Sequence, residues 1–251
     1  MNPLGRPVTM RRSTRDDIPV ARRSKPVPRK RGSGFGVVLA CLLVAVGSLA
    51  AVWFVPSLLA RRSSGPIQVV KGIETPPDQD GRLLGHFPYD EAIASQLVFV
   101  EAGIELHQDA ALALDAMRRA AAADGIDLRL ISGYRSHTLQ EGIFFDVKSE
   151  RNQTAEERAK VSAPPGYSEH STGYAIDLGD GSRPDTDLSI SFETTPTFRW
   201  LQDFAASYHF TMSFPEENPQ GVSYEPWHWR FEGSAEALRQ FEPARQLAQG
   251  S

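Results

Sequence analysis

Four side chains in two short stretches have the types and spacing to do chemistry together. In "GYSEHSTGYAIDLGD" (166–180), His170 stands in a polar, glycine-broken turn, and Asp177 follows seven residues later, after an apolar run. In "YEPWHWRFEG" (224–233), Glu225 precedes His228 by three residues. Zinc accepts both imidazole nitrogen and carboxylate oxygen, and a catalytic zinc site takes three protein ligands with one position left open. His170, Asp177 and His228 supply that number. Glu225 has the type and place of a carboxylate that faces the same cavity without binding the ion, as a general base does. On residue type alone a plainer reading stays open, because an isolated histidine is more often structural than a ligand.

Such a set needs a scaffold, and the sequence mixes helices with short strands. "DAALALDAMRRAAAADG" (109–125) has apolar residues at helical spacing and a glycine stop, while "IDLRLIS" (126–132) alternates as a half-buried strand does. "SHTLQEGIFFDVKSE" (136–150), "TAEERAKVS" (154–162) and "TPTFRWLQDFAASY" (195–208) read as helices, the last with Thr and Pro at its start. "YHFTMSF" (208–214) and "WHWRF" (227–231) alternate like strands, and "SAEALRQFEPARQLAQ" (234–249) reads as a closing helix. Strands and helices do not alternate regularly as in a doubly wound sheet. The expected class is therefore α+β, with a small antiparallel sheet flanked by helices.

The rest of the 251-residue chain bears on location. Residues 1–34 hold ten Lys/Arg against two Asp, a net charge of +8, with scattered prolines, and read as a disordered basic arm. From Phe35 to Ala60 no residue is charged, and a run of about 20 apolar residues spans a bilayer as a helix. A cleaved signal peptide has a shorter apolar region behind a short basic start, so the expectation is an uncleaved transmembrane signal anchor over 35–60. The basic arm then stays in the cytoplasm, and the remainder of the chain lies outside it, periplasmic or extracellular. Cys41, the only cysteine, falls inside the apolar run, so the exported part forms no disulfide. Residues 61–85, rich in Gly, Pro, Ser and charge, read as a linker, leaving 86–251 as the folded domain. Residues 63–251 carry 15 Lys/Arg and 29 Asp/Glu, a net charge of −14, which excludes nucleic-acid binding as a function class.

Three stretches in order, "SGYRS" (132–136), "GYSEHSTGYAID" (166–177) and "YEPWHWR" (224–230), resemble the bacterial VanY-type D-alanyl-D-alanine carboxypeptidases. That family belongs to a wider group of zinc peptidases that includes the lysostaphin-type endopeptidases and the hedgehog signalling domains. The likeness runs from Leu106 to Gly233 and leaves out the arm, anchor and linker. It implies a zinc site of His170, Asp177 and His228 with Glu225 as base. It also implies that Arg135 faces the scissile carbonyl oxygen or the substrate carboxylate, and that Ser168 and Gln140 line the substrate cleft. Where the family has Tyr-Gly-Phe before the penultimate strand, this chain has Tyr208-His209-Phe210, so a positive φ is expected at a histidine.

The function so implied is a membrane-anchored, zinc-dependent carboxypeptidase that trims the terminal D-Ala of peptidoglycan stem peptides. One alternative is a peptidoglycan endopeptidase of the same fold, which needs a groove open at both ends. Another is a non-catalytic cell-wall-binding domain, against which the presence of Glu225 argues. His86, His107, His137 and His209 have no partner at ligand spacing and read as ordinary histidines. Glu169 reads as a solvated carboxylate, or one that touches a ligand, rather than as a fourth ligand. Trp227 and Trp229 are expected to pack and fix the His228 ring, the alternative being that one borders the substrate groove, and Asp180, Asp185 and Asp187 to form an acidic surface turn.

Overall fold

The computed structural model describes residues 70–250. The expected basic arm, the uncharged run at 35–60 with Cys41, and the first part of the expected linker lie outside the described residues. Among the described residues, no helix is long and apolar enough to cross a membrane.

The fold is α+β. A hairpin of β1 (Leu97–Glu101) and β2 (Ile104–His107) leads into α1 (Gln108–Ala123). Then come β3 (Leu128–Ser132), α2 (His137–Glu150), α3 (Ala155–Ala159), β4 (Ala175–Asp180) and α4 (Pro196–Phe204). The chain continues through β5 (Phe210–Met212), β6 (His228–Phe231), α5 (Ala235–Gln240) and α6 (Glu242–Gln249). Two antiparallel sheets result, the hairpin and a four-stranded sheet in the order β3-β4-β6-β5.

Local chemistry sets the element boundaries. At the start of α1 the His107 ring accepts a bond from Asp109 N, and Asp109 complements the helix dipole. Its buried residues Ala110, Leu114, Met117 and Ala121 recur every three or four positions, which puts them on one face. Ser136 caps α2, Thr154 and Glu157 form a reciprocal capping box on α3, and Thr195 with Pro196 starts α4. The closing segment is two helices rather than one, broken at Phe241 just before Pro243, which lacks the N–H that a continuous helix would use.

The central strand β4 was not legible as a strand. Its sequence, AIDLGD, carries two acids and a glycine, yet all six residues are buried, because α4 packs on it and strands pair on both edges. Ile176 and Leu178 point to the main core with Leu114, Met117, Phe198, Leu201, Trp229 and Phe231. Fully burying such a side chain contributes about 1.5–3 kcal/mol. A smaller core holds Ile73, Leu83, Phe144, Ala159 and Tyr167. The described part of the expected linker, 70–85, thus packs onto α2 and α3, and its backbone closes a Leu83–His86 bridge. The positive φ expected at His209 is present, at 63°.

Candidate metal centre

The sheet register brings two of the proposed ligands together. Asp177 on β4 lies directly opposite His228 on β6, and Ala175 lies opposite Arg230. Alternation therefore puts Asp177, His228 and Arg230 on one face, and Ile176, Trp229 and Phe231 on the core face. His170 arrives from a one-turn 3-10 segment, Glu169–Thr172, that ends at Gly173 with φ 72°. A Cβ on Gly173 would sit 2.9 Å from Leu97 Cδ2 and 3.0 Å from His107 N, so glycine is required both for the turn and for the space. Thr172 Oγ1 locks the turn, donating to Glu169 O and accepting from Tyr174 N.

The three side chains converge in the buried interior. His170 Nε2 lies 3.3 Å from Asp177 Oδ2, and His228 Nδ1 lies 3.1 Å from Asp177 Oδ1. One ligand atom from each residue falls within 4.8 Å of the others. The hydrogen bonds at the far side of each ring select the free nitrogen. His170 Nδ1 donates to Gly133 O at 2.7 Å, which leaves Nε2 as a bare acceptor with no hydrogen-bond partner. His228 Nε2 meets Glu169 Oε2 at 2.9 Å, which turns Nδ1 toward Asp177. An orphaned imidazole nitrogen within 4.8 Å of a carboxylate oxygen and a second imidazole nitrogen is the kind of donor set that a tetrahedral zinc ion takes. The residues present fit a zinc-type ion.

Glu169, which the sequence leaves open between a solvated carboxylate and one that touches a ligand, is buried against His228. It is 3% exposed and holds His228 from behind. Arg230 Nη1 at 2.9 Å, the Ser213 hydroxyl and the Tyr89 hydroxyl hold it in turn. Burial opposes its charge, but Arg230 and His228 outweigh burial and keep its carboxyl well below the usual range. Burial likewise opposes charge on Asp177, and the two histidines overcome it and depress that pKa as well. The histidines diverge. Burial, with the Arg135 charge, lowers His170 to about 4, whereas hydrogen bonds to Asp177 and Glu169 outweigh burial at His228 and raise it to about 10.

Glu225 stands beside this set without joining it, its Oε2 4.0 Å from His228 Nδ1. A turn closed by His228 N donating to Glu225 O fixes the three-residue spacing seen in the sequence. Burial raises Glu225 to about 7, Asp177 adding to the shift and His228 and Arg135 opposing it. Arg135 N donates to His170 O at 3.2 Å, which ties the Arg135 segment to the ligand turn. Its Nε is sealed from solvent with no hydrogen-bond partner.

A cleft of about 540 Å³ opens on these groups. His170, Asp177, His228, Glu225, Arg135 and Ser168 line it. Gln140 does not line it. Its amide lies behind the wall and donates to Ser162 Oγ and Ala163 O, which do line the cleft, so it braces the site. The two tryptophans divide: Trp229 is buried with Nε1 on Pro226 O, while Trp227 lines the cleft. His86, read as ordinary, also lines the cleft, with Nε2 bonded to Ala159 O at 2.7 Å. Asp180 is buried rather than on the surface and accepts from Ser182 N and Oγ, while Arg183 pairs with Asp185 and Arg129 with Asp187.

Comparison with known proteins gives the family and the fold. The sequence model of a family described as VanY: D-alanyl-D-alanine carboxypeptidase matches residues 103–234. The protein YodJ of Bacillus subtilis (strain 168) is 38% identical over 135 residues, covering 53% of this chain and 48% of that protein. The bifunctional D-Ala-D-Ala dipeptidase and D-Ala-D-Ala carboxypeptidase VanXYC of Enterococcus gallinarum is 34% identical over 110 residues, covering 43% of this chain and 57% of that protein. The match thus spans about half the length of these curated relatives. Among solved structures, the LdcB LD-carboxypeptidase is similar with a TM-score of 0.53 and 29% identity, covering 73% of this chain and 91% of the other. VanYB in complex with D-alanine-D-alanine is similar with a TM-score of 0.50 and 25% identity, covering 62% and 87%.

Proposed function

The chain belongs to the VanY D-alanyl-D-alanine carboxypeptidase family, and on that premise we propose that it is a zinc-dependent carboxypeptidase that removes the terminal D-Ala from peptidoglycan stem peptides. The observation that carries the reading is the bare His170 Nε2 meeting Asp177 and His228 Nδ1, with a buried Glu225 beside them in one cleft. A binding module has no use for that carboxylate.

His170, Asp177 and His228 would hold the ion. Zinc, when bound, supplies Lewis-acid chemistry, polarising a carbonyl oxygen and making water more acidic. Glu225, kept basic by its burial, takes the proton from the attacking water and holds it on a carboxylate oxygen. It then gives that proton to the amine of the departing D-Ala. Arg135 places its guanidinium where the scissile carbonyl oxygen gains negative charge, or on the terminal carboxylate. Ser168, at the cleft wall next to Glu169, offers its hydroxyl to the peptide backbone. Glu169 keeps the His228 ring at a fixed angle, and Arg230 keeps Glu169 in place.

A second reading keeps this chemistry and changes the bond cut. The likeness to LdcB, an LD-carboxypeptidase, covers more of the chain than the likeness to VanYB and favours a terminal D-residue joined to an L-centre. Incubating the zinc-loaded protein with a pentapeptide ending in D-Ala-D-Ala, a tetrapeptide ending in L-centre–D-Ala, and cross-linked muropeptides separates the readings by product mass. D-Ala released from the pentapeptide supports the first, release from the tetrapeptide alone supports the second, and cleavage of cross-links alone makes the enzyme an endopeptidase.

The uncharged run from Phe35 to Ala60 behind a +8 arm supports a single-span anchor with the peptidase domain exported to its substrate. Reporter fusions placed after residue 62 are expected to be active only outside the cytoplasm, and a soluble mature form beginning near Arg61 would replace the anchor with a signal peptide.

A further inference from the structure

The cleft contains a cation that the proposed chemistry does not use. Arg158, near the end of α3, is 7% exposed, and its Nε is buried without a hydrogen-bond partner. One bond of its guanidinium is accounted for, Nη2 donating to Ile143 O at 3.2 Å. Among the described residues no carboxylate pairs with Arg158, Arg151 or Arg135, although all three line the same cleft. Burial first, then the charges of Arg151 and Arg135, lower the Arg158 pKa, so its charged neighbours are cations. A guanidinium has five donors in a planar fork, and a buried one without a counter-charge is costly. Tying α3 to α2 through the Ile143 carbonyl needs one donor and no charge. A carboxylate from a ligand would satisfy both the fork and the charge.

Its place in the cleft narrows which carboxylate. Arg135 is tied to the ligand turn by its N–H on His170 O, whereas Arg158 is tied to α2 through Ile143 O, so Arg158 stands apart from the ligand turn. The terminal carboxylate lies one residue, about 3.5 Å of chain, beyond the scissile carbonyl, and so stays with it on the Arg135 side of the cleft. We propose that Arg158, backed by Arg151, forms a second anion subsite that binds a side-chain carboxylate on the retained part of the peptide, away from the scissile bond. This rests on the carboxypeptidase reading above and adds a sequence preference to it.

The test compares two stem-like peptides with the same D-Ala-D-Ala end, one with an acidic side chain upstream of the scissile bond and one with the corresponding amide. Full-length, zinc-loaded protein is expected to favour the acidic peptide in kcat/KM by roughly ten- to hundredfold, the range for a charge-assisted bond. Arg158→Gln, which keeps a donor for Ile143 O, is expected to bring that ratio to about one. Arg158→Lys is expected to restore part of it, a charge without the fork, and Arg135→Ala to slow both peptides while keeping the ratio. Equal cleavage of both peptides by the unaltered protein overturns the subsite and leaves the functional reading intact. An Arg158→Gln enzyme that loses the same factor on both peptides places the terminal carboxylate at Arg158 and also overturns it. A protein that cleaves neither peptide removes the functional reading and the subsite with it.

Discussion

The polar face of β4 and β6 and the α3 wall of the cleft both bury charge, but they treat it in opposite ways. On the sheet face each charge has an answer: Asp177 meets two histidines, His228 meets Glu169, and Glu169 meets Arg230, which also reaches Glu232. On the wall, Arg158 has one bond to a carbonyl oxygen and cations for neighbours. The first region is finished by folding, so its ligand atoms are already in place for an ion. The second is finished only by a charged ligand. A catalytic centre and a recognition surface are distinguished here by whether their buried charges are paired before the substrate arrives.

The largest expected effect removes the finished centre. His170→Ala takes away the bare nitrogen and leaves the Gly133 carbonyl without its donor. Zinc content measured by atomic absorption is expected to fall from one per chain to near zero, with peptidase activity at background. Retained zinc in His170→Ala would break the comparison at its first term.

A smaller pair of changes sets the two regions directly against each other. Arg230→Gln leaves Glu169 buried opposite an uncharged partner, and breaking such a pair costs about 3–5 kcal/mol. Arg158→Gln removes a cation that has no counter-charge, so its melting temperature without substrate is expected to match or exceed that of the parent. Calorimetric melting of both variants checks this, and an equal loss in the two would mean that Arg158 is paired after all.

The sequence carried the chemistry of the site further than its architecture. The side chains of His170, Asp177 and His228 converge, and Glu225 stands beside them, all four drawn from the His-x6-Asp and Glu-x-x-His spacings. Those spacings express local geometry: a turn ended by Gly173 before a strand, and a turn closed from His228 N to Glu225 O. What stayed hidden depends on tertiary packing. β4 reads poorly as a strand because its burial comes from neighbours on both sides rather than from alternation. The β1–β2 hairpin escaped because Val98 and Phe99, adjacent residues on opposite faces, are both exposed, at 40% and 72%, so no alternation marks it. Arg158 lies in a five-residue helix, too short for periodicity to say which face turns inward. Glu169 has no sequence signal that separates a solvated carboxylate from one bonded to His228, since its partners Ser213 and Arg230 are 44 and 61 residues away.

The smallest expected effect lies at an exposed carboxylate outside the cleft lining. Glu91 accepts from His137 N at 2.7 Å and from the Tyr134 hydroxyl at 2.9 Å. The His137 backbone bond is the main cause that holds its pKa below the usual carboxylate range. With the folded pKa depressed, the stabilisation is present above the unfolded value and is lost as pH falls through the folded one. Solvent screening keeps it within about 1 kcal/mol. Glu91→Gln is therefore expected to lower the melting temperature slightly at neutral pH and to leave the acid end, where the carboxyl is protonated in both states, nearly unchanged, so that the acid limb flattens. A large drop at neutral pH would show that Glu91 does more than hold this loop.

In the proposed mechanism His170, Asp177 and His228 hold the ion and Glu225 moves the proton. Glu225→Gln keeps the size of the side chain and cannot accept a proton, and Glu225 lies beyond the three ligands. The direct measurement is zinc content and D-Ala release on the same preparation. Zinc near one per chain with turnover reduced by about 10²–10⁴, the range for loss of a general base, is the predicted result. Zinc bound with near-normal turnover, or zinc lost along with activity, would contradict it.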